Sequence, residues 1–309
     1  MILADFHLHS EFSSDSEAPM VSMIERAIEL GLKTICFTDH IDFDYPKITP
    51  NPKVDGAYLD FLFDVKSYVE CLTMLRETYK SRIDIRIGVE LGLQAHIQKE
   101  VNELMEQFDF DFVIGSSHLL YGADPYYAYF WDNLRFQYAA TIDSNKIKEQ
   151  AVSLGRNQHD ELDAYIVKKV LRDYFLDIVS NIKRYPVFQV YGHLDYVVRY
   201  APGKGIYYEP KDYFDILDEA LKLIIEGNRG IEINTSALFK GLPYCNPHPK
   251  ILRRYRELGG EIITVGSDAH FPEAMAYDFK KAEELLLDCG FRYYTTFKKK
   301  APEFHRLGT

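Results

Sequence analysis

Histidine and carboxylate residues recur in this sequence at one kind of place, directly after short apolar runs. His7-Leu8-His9 and then Asp15 follow the first run, Asp39-His40 the second, Glu90 the third and Ser116-Ser117-His118 the fourth. His193 follows the fifth, Asn234 the sixth, and Asp268-Ala269-His270 the seventh. Alternate residues of an extended segment point to the same side, so both imidazoles of His7-Leu8-His9 can reach one ion. Asp268 and His270 repeat that spacing. Imidazole nitrogen mixed with carboxylate oxygen suits zinc, iron or manganese, and a carboxylate such as Glu90 can bridge two ions. One zinc takes about four ligands. The candidates His7, His9, Asp15, His40, Glu90, His118, His193, Asp268 and His270 therefore imply more than one metal.

Taken singly, His118 or His193 reads as a packing or capping residue. The metal reading rests on the set: chance would scatter such residues over both ends of a fold. His96, His159, His248 and His305 do not follow apolar runs and read as surface or loop residues, with His159 a weaker candidate inside a long connection. Glu11, Asp42 and Asp44 read as supports for the ligands or as solvated groups. The aromatic stretch 126–131 reads as packing in preference to a stacking wall for a planar substrate.

The apolar runs at 2–6, 34–37, 83–89, 110–115, 187–191, 230–233 and 261–265 have strand length, and amphipathic patterns lie between them. Helices are expected at 20–30, closed by Gly31, and at 58–80, 98–108, 213–226, 249–258 and 279–288. This alternation predicts an α/β fold, a distorted (β/α)7 barrel, with an open doubly wound sheet as the alternative. Barrel active sites form at the C-terminal ends of the strands, where all nine candidates fall. The connection at 119–186 is too long for a simple crossover and predicts a helical insertion between strands four and five, with helices near 133–150 and 160–184, acting as a lid or wall. The segments SLGRNQHDE and APGKGIYYEP read as loops, and FRYYTTF as an eighth short strand or an extension.

With 309 residues, 47% hydrophobic and 27% charged, the chain can bury a sizeable core, and residues 1–309 read as one domain. The net charge of −11 opposes nucleic acid and anionic lipid as partners. The N-terminus lacks a signal-peptide pattern and no run approaches a membrane span, so a cytoplasmic protein is expected. Cys36, Cys71, Cys245 and Cys289 form no CxxC pair and read as ordinary reduced thiols.

The motifs FHLHS, FTDH, GVELG, SSHLL, GHLDYV and GSDAH, in this order from Phe6 to His270, resemble the PHP (polymerase and histidinol phosphatase) superfamily. Length, Asp15 and the large insertion resemble its histidinol-phosphate phosphatase type. The resemblance implies three divalent transition metals, zinc, iron or manganese. The first would take His7, His9, Glu90 and Asp268, the second Glu90, His118 and His193, and the third Asp15, His40 and His270. His7, His9, Glu90, His118 and Asp268 would form the catalytic core.

Phosphomonoester hydrolysis is also the chemistry that closely spaced metals favour: they can hold a hydroxide at neutral pH and neutralise phosphate oxygens. Arg199 and Arg156 are candidates to grip the phosphate, with Ser117 a further substrate contact. The expected reaction converts L-histidinol phosphate to L-histidinol and phosphate, with a small phosphorylated molecule as the only partner. A PHP phosphoesterase acting on a nucleotide, an oligonucleotide end or a phosphotyrosine protein is the alternative. A non-catalytic PHP module would be expected to lose ligands, and an amidohydrolase to carry a lysine or carbamate ligand, which does not appear at these strand ends.

Overall fold

The computed structural model describes residues 1–48, 56–141, 144–155 and 157–308. Seven strands form a parallel sheet in the order β1 (Ala4–Leu8), β2 (Thr34–Phe37), β4 (Asp84–Gly92), β5 (Phe112–Ser116), β6 (Val190–Tyr191), β7 (Gly230–Asn234) and β8 (Ile263–Gly266). A two-residue strand, β3 (His40–Ile41), pairs with the end of β4 and places His40 opposite Glu90. The sheet curls until its edges meet: His9 N–H donates to Ala269 C=O at 3.0 Å and Asp268 N–H to His7 C=O at 2.9 Å. The predicted barrel is therefore present, closed at its C-terminal end, and the open-sheet alternative does not hold.

Helices coat the barrel because their apolar residues recur on one side. In α1 (Met20–Glu29) the buried positions are Met20, Met23, Ile24 and Ala27, a helical repeat that ends where Gly31 takes φ = 76°. Helices α3 (Gln98–Gln107), α7 (Phe214–Glu226), α9 (Pro249–Glu257) and α10 (Phe279–Asp288) match the expected positions to within a residue or two. The helix expected at 58–80 begins only at Val65, as α2 (Val65–Tyr79), because the Asp64 carboxylate accepts from Lys66 N–H and Ser67 N–H and caps it there. Leu59 and Phe61 instead pack with Tyr45 and Leu119, and Asp42 N–H donates to Phe61 C=O at 3.1 Å, so this stretch forms a rim of the barrel mouth. The strand expected at 187–191 shrinks to Val190–Tyr191, since the Gln189 side chain takes the Val113 N–H bond at 2.9 Å.

The insertion holds three helices where two were expected: α4 (Ala128–Thr141), α5 (Ser144–Leu154) and α6 (Gln158–Arg184). Asn157 caps α6, whose apolar face, with Val170, Leu171, Tyr174 and Ile178, is buried. Tyr174 hydroxyl donates to Ser117 C=O at 2.8 Å and Asn181 Nδ2 to Leu93 C=O at 3.2 Å, tying α6 to the strand ends. FRYYTTF is not a barrel strand. It belongs to an antiparallel hairpin, β9 (Tyr293–Lys298) and β10 (Ala301–Arg306), which closes the opposite end. Phe297 stacks on Phe112 with ring centroids 5.1 Å apart, Phe112 meets Phe6 edge-on at 5.3 Å, and Asp111, just before β5, accepts from Lys299 N–H at 3.0 Å. No helix among the described residues is long and apolar enough to cross a membrane.

Because Phe297 plugs the bottom of the barrel, Phe297→Ala should cost about 3–5 kcal/mol of unfolding free energy. Urea titration would show this as a lower midpoint, and an unchanged midpoint would mean that the hairpin does not support the core.

Candidate metal centre and active site

Each strand delivers its polar residue to the same mouth. On β1, His7 and His9 share one side of the chain as alternation requires, are fully buried, and have ring centroids 5.0 Å apart. Asp5 anchors this strand to β8 by accepting from Ser267 N–H at 2.9 Å, Ser267 hydroxyl at 2.6 Å and Ala276 N–H at 3.0 Å. Burial nonetheless pushes its carboxyl up to about 6. Asp268, two residues past β8, has φ = 54°, a conformation uncommon outside glycine, and this turn aims its carboxylate at the imidazoles.

Glu90 is the hub. Its Oε2 lies 3.0 Å from His7 Nε2 and 3.0 Å from His40 Nδ1. Its Oε1 lies 3.1 Å from His118 Nε2 and 2.9 Å from His193 Nε2, and accepts from Ser116 hydroxyl at 2.6 Å. Asp268 Oδ1 lies 3.4 Å from His9 Nε2, while Asp15 Oδ2 lies 3.1 Å from His270 Nε2 and 3.7 Å from His40 Nε2. All nine residues singled out from the sequence thus converge. The ligating atoms of seven of them form three compact groups, His7–His9–Asp268, His40–Glu90–His118 and His9–His40–His270, with atoms in each within 4.8 Å of one another, and Asp15 and His193 flank these groups. His40, which the resemblance placed with Asp15 and His270, also reaches Glu90 and His118.

Four residues support the ligands: Asp42, expected as a support or a solvated group, Asp39 and Asn234, which follow apolar runs, and Glu232, which the sequence did not single out. Glu232 Oε1 pairs with His7 Nδ1 at 2.6 Å, and Glu232 Oε2 accepts from His193 N–H at 3.1 Å. Asp42 Oδ1 pairs with His118 Nδ1 at 2.7 Å. Asp39 accepts from Ser13 hydroxyl at 2.7 Å, and Ser13 Oγ lies 3.1 Å from His9 Nδ1. Asn234 Nδ2 donates to Asp268 Oδ2 at 3.3 Å. Such contacts fix which ring nitrogen faces the centre. A carboxylate inside the otherwise apolar run GIEIN was the available signal for Glu232. Two glycines make room: a Cβ on Gly266 would lie 2.4 Å from Glu232 Oε1, and one on Gly92 would collide with the Asp42 carboxylate.

Burial opposes charge at His7, His9, His40, Glu90, His118, His193 and Asp268, and opposite charges overcome it at most of them. Asp15 and Glu90 outweigh burial at His40 and push it up to about 9. Burial likewise resists charge on His7 and His118, but carboxylates raise both well above the ordinary value. Glu90 and Asp268 are held well down by the surrounding imidazoles against the pull of burial. His9 is lowered, first by burial and then by His270 and His40, and His193 is lowered by burial.

The site opens into a cleft of about 550 Å³. Arg199 lines it: Nε donates to Asn246 Oδ1 at 2.5 Å and NH1 to Asp268 Oδ2 at 2.9 Å, which leaves the buried NH2 without a partner. Lys240, which the sequence reading passed over, lines the same wall, its Nζ 2.9 Å from Tyr200 hydroxyl. Ser117 does not face the cleft. Its hydroxyl is buried against Tyr191 hydroxyl at 2.7 Å and Asn181 Nδ2 at 3.2 Å, where it secures α6. Arg156 lies outside the described residues, and His159 is exposed at the start of α6. The stretch 126–131 divides: Phe130 and Trp131 are packed, whereas Tyr126 and Tyr127 line the cleft.

Residues 5–236 match the PHP domain. The chain belongs to the PHP domain family. Among similar PHP proteins, histidinol-phosphatase from Lactococcus lactis is 32% identical over 293 residues, covering 95% of this chain and 93% of that protein. A Clostridium acetobutylicum protein named "Probable histidinol-phosphatase" is 32% identical over 294 residues, covering 93% and 94%. The crystal structure of histidinol phosphate phosphatase from Lactococcus lactis, complexed with zinc, L-histidinol and phosphate, superimposes with a TM-score of 0.74 at 27% identity, covering 97% of this chain and 98% of that one.

Divalent metal fits the residues present. His9 Nε2 is buried without a hydrogen-bond partner, yet points between Asp268 Oδ1 at 3.4 Å and Glu90 Oε2 at 3.6 Å, an arrangement that a cation would complete. Glu232→Gln should weaken zinc binding about 10–100-fold in a chelator competition, and equal affinity would remove Glu232 from the support of His7. Protons compete with metal for the same nitrogens. With His40 raised to about 9, zinc affinity should fall as pH drops from about 9 toward 6.5, since the ring must lose its proton to bind. A flat profile over that range would contradict this electrostatic picture.

Proposed function

We propose that this chain hydrolyses L-histidinol phosphate to L-histidinol and phosphate, with divalent transition metals held at the barrel mouth. The observation that carries this reading is the triple grouping of imidazoles and carboxylates around Glu90, in a cleft of small-molecule size. The zinc, L-histidinol and phosphate bound by the Lactococcus lactis structure support it.

In this reading three ions are held. His7, His9, Glu90 and Asp268 take the first, Glu90, His118 and His193, joined by His40, the second, and Asp15, His40 and His270 the third. Such ions supply charge neutralisation at the phosphoryl oxygens and a water acidified enough to attack at neutral pH. The chain's own side chains then orient the ester. Arg199, held by Asn246 and Asp268, presents its free NH2 to a phosphate oxygen, and Lys240 adds a second cation on that wall. Glu232 and Asp42 keep His7 and His118 turned toward the centre. Residues 1–309 act as one unit, with α4–α6 as the insertion, in the cytoplasm and without a nucleic-acid or membrane partner.

Phosphate release from L-histidinol phosphate should exceed that from an aryl phosphate and from nucleoside monophosphates, and a chelator should abolish it. Glu90→Ala or His118→Ala should lower metal content and activity together. Equal rates on all three ester types would sink the substrate assignment, and full activity with metal removed would sink the centre.

A further inference from the structure

One buried carboxylate in the cleft lacks an ionic partner. Tyr121 and Gly122 both take positive φ, 55° and 72°, in a tight turn closed by Leu120 and Ala123, and this turn sends Asp124 back into the barrel mouth. Asp124 is 7% exposed and lines the cleft. Its Oδ2 accepts from Tyr45 hydroxyl at 2.7 Å, and its Oδ1 from Tyr126 N–H at 2.8 Å and Tyr196 hydroxyl at 3.1 Å. These donors are all neutral. Among the described residues no lysine, arginine or histidine nitrogen comes within ion-pair distance of it, whereas Asp15, Asp42 and Asp268 in the same cleft each face a cationic or imidazole group. Asp5, Asp39 and Asp195 are also buried without an ionic partner, but they do not line the cleft.

A carboxylate offers about four acceptor positions, so three donors leave Asp124 one more to fill. The cleft is thereby polarised. Arg199 and Lys240 face the metal-binding end, and Asp124 lies one tyrosine away: the Tyr196 ring is 5.0 Å from the His193 ring and 5.6 Å from His118, and its hydroxyl reaches Asp124. A phosphate ester carrying an ammonium group on a short chain has the same polarity.

We propose that Asp124 is the counter-ion for the substrate's ammonium group and sets a preference for cationic phosphomonoesters. This rests on reading the cleft as the site of phosphomonoester hydrolysis. Leaving a buried charge without its partner weakens recognition on both sides, so the effect appears as discrimination between esters that differ only in charge.

The test compares aminoethyl phosphate with ethyl phosphate on metal-loaded protein, wild type and Asp124→Asn, with the thermal midpoint as a check on folding. Wild type should show a higher kcat/KM for the aminoethyl ester, and Asp124→Asn should reduce that ratio roughly 30-fold or more. Calorimetric binding of L-histidinol should weaken in parallel. The wild-type ratio tests the assignment even where the variant does not fold. Turnover of both esters without preference, or a ratio unchanged in the variant, overturns the role of Asp124 and leaves the phosphatase reading standing. Absence of turnover of any phosphomonoester, L-histidinol phosphate included, overturns both.

Discussion

Six imidazoles packed into one barrel mouth repel each other when protonated, and everything around them answers that repulsion. His9 stacks between His40 and His270 at centroid distances of 4.2 and 4.1 Å, and burial, reinforced by these two neighbours, drives its basicity down. Glu90 makes the cluster tolerable by offering its two oxygens to four of the rings. A lone carboxylate at this depth would be costly, and so would a lone imidazolium; interleaved, each stabilises the other. Metal ions relieve the same tension by a different route, replacing protons between nitrogen and oxygen donors. The residues that hold the cluster together are therefore those a metal centre would require.

Precision of this kind needs ligands on rigid elements. His7, His40 and Glu90, with the supporting Ser116 and Asn234, lie within strands, and the other candidate ligands except Asp15 follow a strand end within four residues. Close approach is built in: Gly266 admits the Glu232 carboxylate beside His7, and Gly92 admits Asp42 beside the barrel wall. At the other end the Phe6–Phe112–Phe297 contacts fill the bore. The barrel is thus a packed cylinder with chemistry at one mouth, and the insertion and the 58–64 stretch build the walls above it.

The ligands were legible in the sequence because strand geometry repeats every two residues. His7-Leu8-His9 and Asp268-Ala269-His270 announce a shared face from local spacing alone, and the other ligands follow apolar runs in the same position. The supports were less legible, since each depends on a partner far along the chain: Glu232, unflagged, is 225 residues from His7, and Asp42, expected as a support, gave no sign that its partner is His118, 76 residues on. Asp124 had no signal at all, because its meaning comes from Tyr45 and Tyr196 converging on it in space. Ser117 shows the opposite failure. It directly follows β5 and precedes His118, as a substrate contact would, yet alternation turns it behind the strand toward α6. The helix expected at 58–80 failed for a local reason, the Asp64 cap, and for a tertiary one, the burial of Leu59 and Phe61 in the rim.

A chain of net charge −11 that takes an anionic ester poses an electrostatic question. Surface charges farther than a Debye length of about 8 Å are largely screened, so the total governs neither binding nor orientation. Inside the cleft the local sum decides. Arg199 is fully committed in position, since Asn246 holds Nε and Asp268 holds NH1, and Asp195 in turn accepts from Asn246 Nδ2. That chain of contacts fixes the guanidinium plane before any ligand arrives, so little ordering cost remains when NH2 meets an anion. The same carboxylate of Asp268 faces the imidazoles with its other oxygen, which couples the position of Arg199 to the geometry of the imidazole cluster. In the proposed reaction phosphate recognition and ion binding would for this reason be one arrangement, and a change at Asp268 would disturb both.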